Sequence, residues 1–233
     1  LRPTRLLVSG SAPLPVPVFE RLRELTGQAP VERYGMSETM ITLSVRADGE
    51  RRPGWVGQPV AGVRTRLVST DEESDGELLP HDGETIGELQ LQGPGLFSGY
   101  LGRPEATAAT WTADGWFRTG DAAVIDAGGY HRIVGRRSVD LIKTGGYRVG
   151  AGEIETALLE HVGISEAAVV GEPDDDLGQR IVAHVVVTGD PIDPDEVIAF
   201  VADRLSAHKR PREVRVVDAL PRNAMGKVQK ARL

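Results

Sequence analysis

The chain has 233 residues, enough for one large or two modest domains and for a real core. Lys and Arg total 27 against 34 Asp and Glu, and the net charge of -7 argues against a general binder of nucleic acid or anionic membrane. Cysteine is absent, which excludes disulfides, thiolate zinc sites and a cysteine nucleophile. No stretch is long and apolar enough to span a bilayer and no charged-then-apolar leader opens the chain, so the expectation is a soluble, cytoplasmic protein.

The first segment, "TRLLVSGSAPLP", places a buried-type strand close to the start, as expected of the C-terminal part of something longer. "RLLVSG" reads as a fully buried strand, and "PVPVFERLRELTG" sets Val18, Leu22 and Leu25 on one helical face before Gly27 stops the helix. "PVERYG" is the next strand of that α/β unit, with Tyr34 and Gly35 at its carboxyl end, where open α/β sheets bind ligands.

From about Arg51 to Gly135 the texture changes to short alternating runs punctuated by glycine and proline, which predicts hairpins and a small barrel or distorted sheet, with "RPEATAATW" as its one helix. After Gly135 come helix "GEIETALLEH", strands "ISEAAVVGE" and "QRIVAHVVV", helix "DPDEVIAFVADRLS" and strand "REVRVVD". That alternation predicts a small α+β domain with two helices on one sheet. The fold class is thus α/β plus a β-barrel-like segment plus a C-terminal α+β domain. The divisions fall at 1–50, 51–135, 136–140 and 141–233, the break coming at "GRRSVD", where charge and turn residues interrupt two apolar patterns.

Taken singly, the polar motifs have plain structural readings. "YGMSE" can be a strand end with a capping serine, "RTGDAAV" a turn capped by Asp121, "DLIKTGGYRVG" a glycine bend and "PRNAMGKVQK" a solvated basic tail. Glu153 and Glu155 suit the positive end of a helix dipole, His131, His161, His184 and His208 show no ligand spacing, and Trp55, Trp111 and Trp116 suit packing.

In order, however, "SGSAPL", "RYGMSET", "GYLGRPEAT", "DGWFRTGD", "GRRSVDLIKTGGYRVGAGEIE" and "PRNAMGKVQK" form a series that resembles the acyl-adenylate-forming superfamily. Its members include acyl-CoA synthetases, peptide-synthetase adenylation domains and firefly-type luciferases. The resemblance covers essentially the whole chain and matches the later half of such an enzyme. It implies that 1–50 ends the α/β part of a large N-terminal domain, 51–135 is its β-rich part, 136–140 a hinge and 141–233 a mobile C-terminal domain. It also implies a missing N-terminal part that holds the glycine-, serine- and threonine-rich phosphate loop.

The resemblance further implies ATP, magnesium and coenzyme A as cofactors and a small carboxylic acid as substrate. Expelling pyrophosphate from ATP under attack by a carboxylate builds charge that needs cations and donors. Tyr34 would stack on adenine with the backbone of Glu32 and Arg33 beside it. Ser37 would donate to phosphate, Glu38 would hold the magnesium ion, and Asp121 would accept from both ribose hydroxyls. Arg136 would be a second ribose or phosphate contact. Lys227 would be the mobile lysine that bridges carboxylate and phosphate, apt as a compact charge on a flexible stem.

For the thiol step, Gly145 and Gly146 would admit pantetheine, flanked by Tyr147 and Arg148, with Lys143 and Arg103 further cations toward the nucleotide of CoA. The hinge residue would be Arg137 or Asp140, since "GRRSVD" departs from the usual family spacing. Gly10 and Met36 would line the acyl pocket, with bulky Met36 favouring a small acid. "RYGMSET", "ADGERRPGWVGQPVAGV" and "PRNAMGKVQK" look most like malonyl-CoA synthetases, which also take methylmalonate. The alternatives are a medium-chain or aromatic acyl-CoA synthetase, an amino-acid adenylation domain, or a catalytically silent fragment. Lys227 or Lys230 is a candidate for acetylation, which would remove a charge the site needs.

Overall fold

Strand β1 (Val8–Ser9) runs parallel to β2 (Val31–Met36), and helix α1 (Val16–Thr26) connects them, in the computed structural model, which describes residues 4–71, 73–224 and 226–233. The helix stops where expected: Gly27 adopts φ 74° and donates its N–H to the Arg23 carbonyl at 2.8 Å. Its buried side differs from the expected face. Phe19 is 1% exposed whereas Val18 and Leu25 are 45% and 52% exposed in this chain. Nor is "RLLVSG" a fully buried strand. Among the described residues strand β1 is two residues long and pairs with β2, and Val8 is 46% exposed.

Strand β2 continues into an antiparallel hairpin with β3 (Met40–Ser44), which pairs with β4 (Gln58–Pro59) and completes a mixed four-stranded sheet. Strands β5 (Arg64–Val68), β6 (Gly87–Gln92), β7 (Phe117–Ile125) and β8 (His131–Arg136) form a second sheet in that order. The β-rich stretch is therefore a distorted open sheet, not a barrel. Among the described residues its outer strands β5 and β8 do not pair, and the register shifts between Glu88 and Gln90. Helix α2 (Pro104–Ala109) lies where "RPEATAATW" predicts it. Leu43, Leu67, Leu89, Leu91, Ala123 and Ile125 make the core here, and the Tyr34 ring packs against it.

The chain divides into two compact units, Leu1–Ile133 and Val134–Leu233. The second contains the hairpin β9 (Leu141–Thr144) and β10 (Tyr147–Gly150), then α3 (Ala151–Leu159), β11 (Ile164–Asp174), β12 (Gly178–Val187), α4 (Pro194–Ala202) and β13 (Glu213–Val216). Strand β12 is the centre: it is antiparallel to β11, parallel to β13 and meets β9 at Gly178. Helices α3 and α4 lay Ile154, Leu158, Val197 and Val201 on Val169, Ile181, Ala183 and Val185 of the sheet. The expected α+β order is present, and the β9–β10 hairpin is an addition to it. Among the described residues, no helix is long and apolar enough to cross a membrane.

Candidate active site

The β2–β3 hairpin carries Glu32, Arg33 and Tyr34 on its first strand and Ser37 and Glu38 at its tip, all residues expected to handle the nucleotide. Strand β2 ends at Met36, and the Thr39 N–H closes the turn on the Met36 carbonyl at 3.1 Å, leaving Ser37 exposed and Glu38 half-buried at the tip. A bulge between Tyr34 and Gly35 sets this geometry. It requires glycine, because a Cβ on residue 35 would stand 1.9 Å from the Met40 carbonyl oxygen.

The Tyr34 hydroxyl donates to Asp121 Oδ2 at 2.6 Å, so the expected adenine shelf and the expected ribose carboxylate are in contact. Asp121 itself is buried on β7, its N–H donated to the Thr119 hydroxyl at 3.0 Å. Glu38 is held from two sides. Its carbonyl accepts the Phe97 N–H at 2.7 Å, and its Oε1 accepts the Tyr100 hydroxyl at 2.8 Å. Tyr100 had no assigned role in the sequence, although it lies in the quoted "GYLGRPEAT".

The donor set at Glu38 fits a nucleotide-bound magnesium ion. It presents one carboxylate, and magnesium bound to a nucleotide uses one or two carboxylates together with phosphate oxygens. Oε2 of Glu38 carries no hydrogen bond among the described residues and is the atom that would face the ion. Arg33 is exposed, and Gly10 lies against it: a Cβ there would come within 3.1 Å of Arg33 Cγ. Met36 is half-buried beside the turn, with its partner Met40 at positive φ.

Glu32 is buried, and its carboxylate accepts the Gly54 N–H at 2.7 Å. Burial pushes its pKa up to about 7 from 4.5, against the opposing Gly54 hydrogen bond. His131 shows the reverse. Burial takes its pKa down to about 4 from 6.5, and its ring stands 2.9 Å from the Gly129 carbonyl and 3.0 Å from the Thr65 hydroxyl.

Between pH 4.5 and about 7 the folded chain keeps a proton on Glu32 that the unfolded chain has lost. Its stabilising contribution is complete below 4.5 and falls as pH rises through that window, by about 1.4 kcal/mol per unit at most. Between 6.5 and about 4 the unfolded chain binds a proton that buried His131 refuses, so this contribution is complete above 6.5 and falls as pH drops. The two slopes oppose each other where the windows overlap. Urea titrations at stepped pH should therefore show Glu32→Gln gaining stability relative to the native chain as pH rises, and His131→Asn losing it. Curves parallel to the native one would contradict the assignment.

In the second unit, Gly145 and Gly146 form the two-residue loop of the β9–β10 hairpin, both at positive φ (55° and 80°) as a mirror-image turn demands. The Gly145 N–H donates to the Leu177 carbonyl at 2.9 Å. Tyr147 stacks on His208, with ring centroids 4.2 Å apart, and a pocket beside them is lined by Gly145, Leu177, Arg210 and Arg212. In the sequence His208 shows only a lack of ligand spacing, and Arg210 and Arg212 have no assigned role; their nearness to the glycine hairpin is a tertiary fact. Arg148 lies on the same hairpin, cross-strand from Lys143.

The "GRRSVD" segment is a tight turn: the Arg136 N–H donates to Asp140 Oδ2 and the Asp140 N–H to the Arg136 carbonyl, both at 2.7 Å. Lys227 has its N–H on Asn223 Oδ1 at 3.0 Å and its carbonyl on the Asn223 N–H at 2.9 Å, and the residue is exposed. Glu153 and Glu155 are structural, but for a different reason from the helix dipole. Glu153 pairs with Lys209 at 2.7 Å and Glu155 with Lys230 at 2.6 Å.

Two family models match the chain in succession: AMP-binding enzyme over residues 1–101, and AMP-binding enzyme C-terminal domain over residues 153–227. The mitochondrial malonate–CoA ligase of Homo sapiens is 41% identical over 98% of the chain, which corresponds to 42% of that protein. ATP-bound MatB from Rhodopseudomonas palustris superposes with a TM-score of 0.89 at 41% identity, over 97% of this chain and 44% of that one. A malonyl-CoA ligase solved with methylmalonyl-CoA and AMP is 56% identical, with a TM-score of 0.54, over 94% of this chain and 46% of that one. The chain spans about two-fifths of the length of the curated relatives it matches. With both parts of the family matched in order, and with the hairpin, the carboxylates and the tail lysine each at the expected motif, the chain belongs to the AMP-binding enzymes, the acyl-adenylate formers.

Proposed function

We propose that the chain is the later part of an AMP-forming acid–thiol ligase that converts malonate, and also methylmalonate, with ATP and CoA into the corresponding acyl-CoA. The β2–β3 hairpin is the observation that carries this, since it sets the half-buried Tyr34 ring against the buried Asp121 carboxylate of β7 and holds the Glu38 carboxylate at its tip against the Tyr100 hydroxyl. Tyr34 packs against adenine, Asp121 takes the ribose hydroxyls, Ser37 donates to phosphate, and Arg136 adds a cation. When bound, magnesium neutralises phosphate charge; Glu38, steadied by Tyr100, would hold it. Lys227 supplies the ammonium for the attacking carboxylate and the α-phosphate.

In the thiol step the Gly145–Gly146 loop lets the backbone approach pantetheine closely, beside Tyr147 and Arg148. Arg210 and Arg212 line the pocket beside this loop and would offer guanidinium groups to the phosphates of CoA. The proposed hinge is Arg137 or Asp140, and the side-chain and backbone bonds of Asp140 favour Arg137. Gly10 and Met36 remain the proposed lining of the acyl pocket. The names of the relatives support malonate, and the compartment proposed with it is the cytoplasm, where ATP and CoA are available.

Turnover needs the remaining part of the enzyme, which would carry the phosphate loop and the partner of the second carboxylate. Pyrophosphate release by the complete enzyme across a panel of acids tests the substrate. Malonate should lead and methylmalonate follow, whereas a preference for medium-chain or aromatic monocarboxylates overturns the choice. Efficient malonyl-CoA formation by these 233 residues alone would refute the need for a further part.

A further inference from the structure

The loop that bears Lys227 is fastened at both ends. On one side Arg222 donates to Glu166 Oε2 and to the Gly226 carbonyl, each at 2.6 Å. On the other, Lys230 Nζ lies 2.5 Å from Asp140 Oδ1 and 2.6 Å from Glu155 Oε1, with only 13% of its side chain exposed. Burial alone would push the pKa of this ammonium down, but the Glu155 and Asp140 carboxylates outweigh it and hold it above the ordinary lysine value. The group is therefore charged throughout the neutral range.

Each carboxylate has a further partner in the backbone. Asp140 Oδ2 caps the Arg136 N–H, and the Asp140 carbonyl accepts the Ala151 N–H that opens α3 at 2.8 Å. Glu155 Oε1 accepts the Val169 N–H of β11 at 2.8 Å. One ammonium thus joins the 136–140 turn, α3, β11 and the tail. A buried ion pair of this kind contributes little net stability compared with apolar packing, and its strength is in fixing geometry. Enclosure between two carboxylates also makes Lys230 a poor acetylation target beside exposed Lys227.

We propose that Lys230 is a positioning residue for Lys227: by clamping the tail to Asp140 and Glu155 it fixes where the Lys227 ammonium stands relative to the 136–140 turn. The role rests on Lys227 serving the adenylation step. Two residues separate the two lysines, so releasing the clamp frees the loop at one of its two anchors while leaving the Lys227 side chain intact.

The test uses the complete enzyme with Lys227→Ala, Lys230→Met, Lys230→Arg and the Lys227→Ala/Lys230→Met pair. Adenylation is followed by exchange of pyrophosphate into ATP, thioester formation from preformed malonyl adenylate and CoA, and folding by thermal melting. Lys230→Met should lower the adenylation kcat on the order of 10²-fold, as misplacement of a reacting group by an ångström does, with the KM for ATP and the thioester step near native. Lys230→Arg should recover most of the rate. In the Lys227→Ala background Lys230→Met should add nothing, because a group that acts through Lys227 has nothing left to position.

Native adenylation by Lys230→Met beside an impaired Lys227→Ala would sink this inference alone. Equal loss in both half-reactions, or additivity with Lys227→Ala, would assign Lys230 to folding and also overturn it. Native adenylation by Lys227→Ala would remove the reading beneath it. Should Lys230→Met not fold, Asp140→Asn, which keeps the shape and weakens the clamp, takes its place with the same expectations.

Discussion

Replacing Lys227 with alanine in the complete enzyme lowers the adenylation rate on the order of 10²–10³-fold, the usual cost of deleting one group that stabilises transition-state charge. Thioester formation from preformed acyl adenylate stays near native. The fold should hardly notice the change. The loop is closed by the Lys227 backbone, whose N–H donates to Asn223 Oδ1 and whose carbonyl accepts the Asn223 N–H, so the Lys227 side chain takes no part, and the residue is exposed. Lys227→Arg should not restore the rate, because a planar fork cannot replace a compact ammonium shared between a carboxylate and a phosphate. Pyrophosphate exchange measures the first half-reaction without CoA. Exchange at the native rate by Lys227→Ala would exclude this lysine from the chemistry.

The second large effect is expected from the smallest change, Gly35→Ala. The new methyl would stand 1.9 Å from the Met40 carbonyl oxygen, 2.8 Å from its carbon and 2.9 Å from Ile41 Cα, all backbone atoms that no rotamer change can move. The bulge must open, at an overpacking cost of about 1–3 kcal/mol. Opening it moves Tyr34 away from Asp121 on one side and Ser37 and Glu38 on the other. Catalytic efficiency with ATP should fall on the order of 10²-fold in the complete enzyme, through KM as well as kcat. Thermal melting and AMP titration together check it; unchanged AMP affinity in a folded Gly35→Ala enzyme would mean that the hairpin does not shape the nucleotide site.

What the sequence made legible was local. Gly27 as a helix stop, the "PVERYG" strand and the order of elements after Gly135 all follow from patterns within a dozen residues, and the structure has them. The less legible features depend on contacts far apart in the chain. Tyr34 and Asp121 are 87 positions apart, Glu38 and Tyr100 62, and Lys230 and Asp140 90. Periodicity gives α1 a stripe but not the burial of Phe19, the one residue of α1 that is buried in this chain. The open second sheet was ambiguous because alternation along a strand is the same whether or not the outer strands close. Six motifs in order identified the family, yet they left Arg210, Arg212 and Tyr100 without roles, since charged and aromatic residues in loops acquire meaning only from their neighbours.

The division after Ile133 also marks where related enzymes could be recombined. The later unit carries its own sheet and its own apolar interior, so a junction near this point would transfer it without splitting a core. The exact cut is constrained by Gly150, where any side chain would strike Val134 Cγ1 at 2.2 Å. Val134 and Gly150 are thus a matched pair and should come from the same parent. A crossover before Val134 keeps them together, whereas one placed a few residues later, at the charged turn, would combine a foreign valine-bearing strand with a resident glycine and leave their fit to chance.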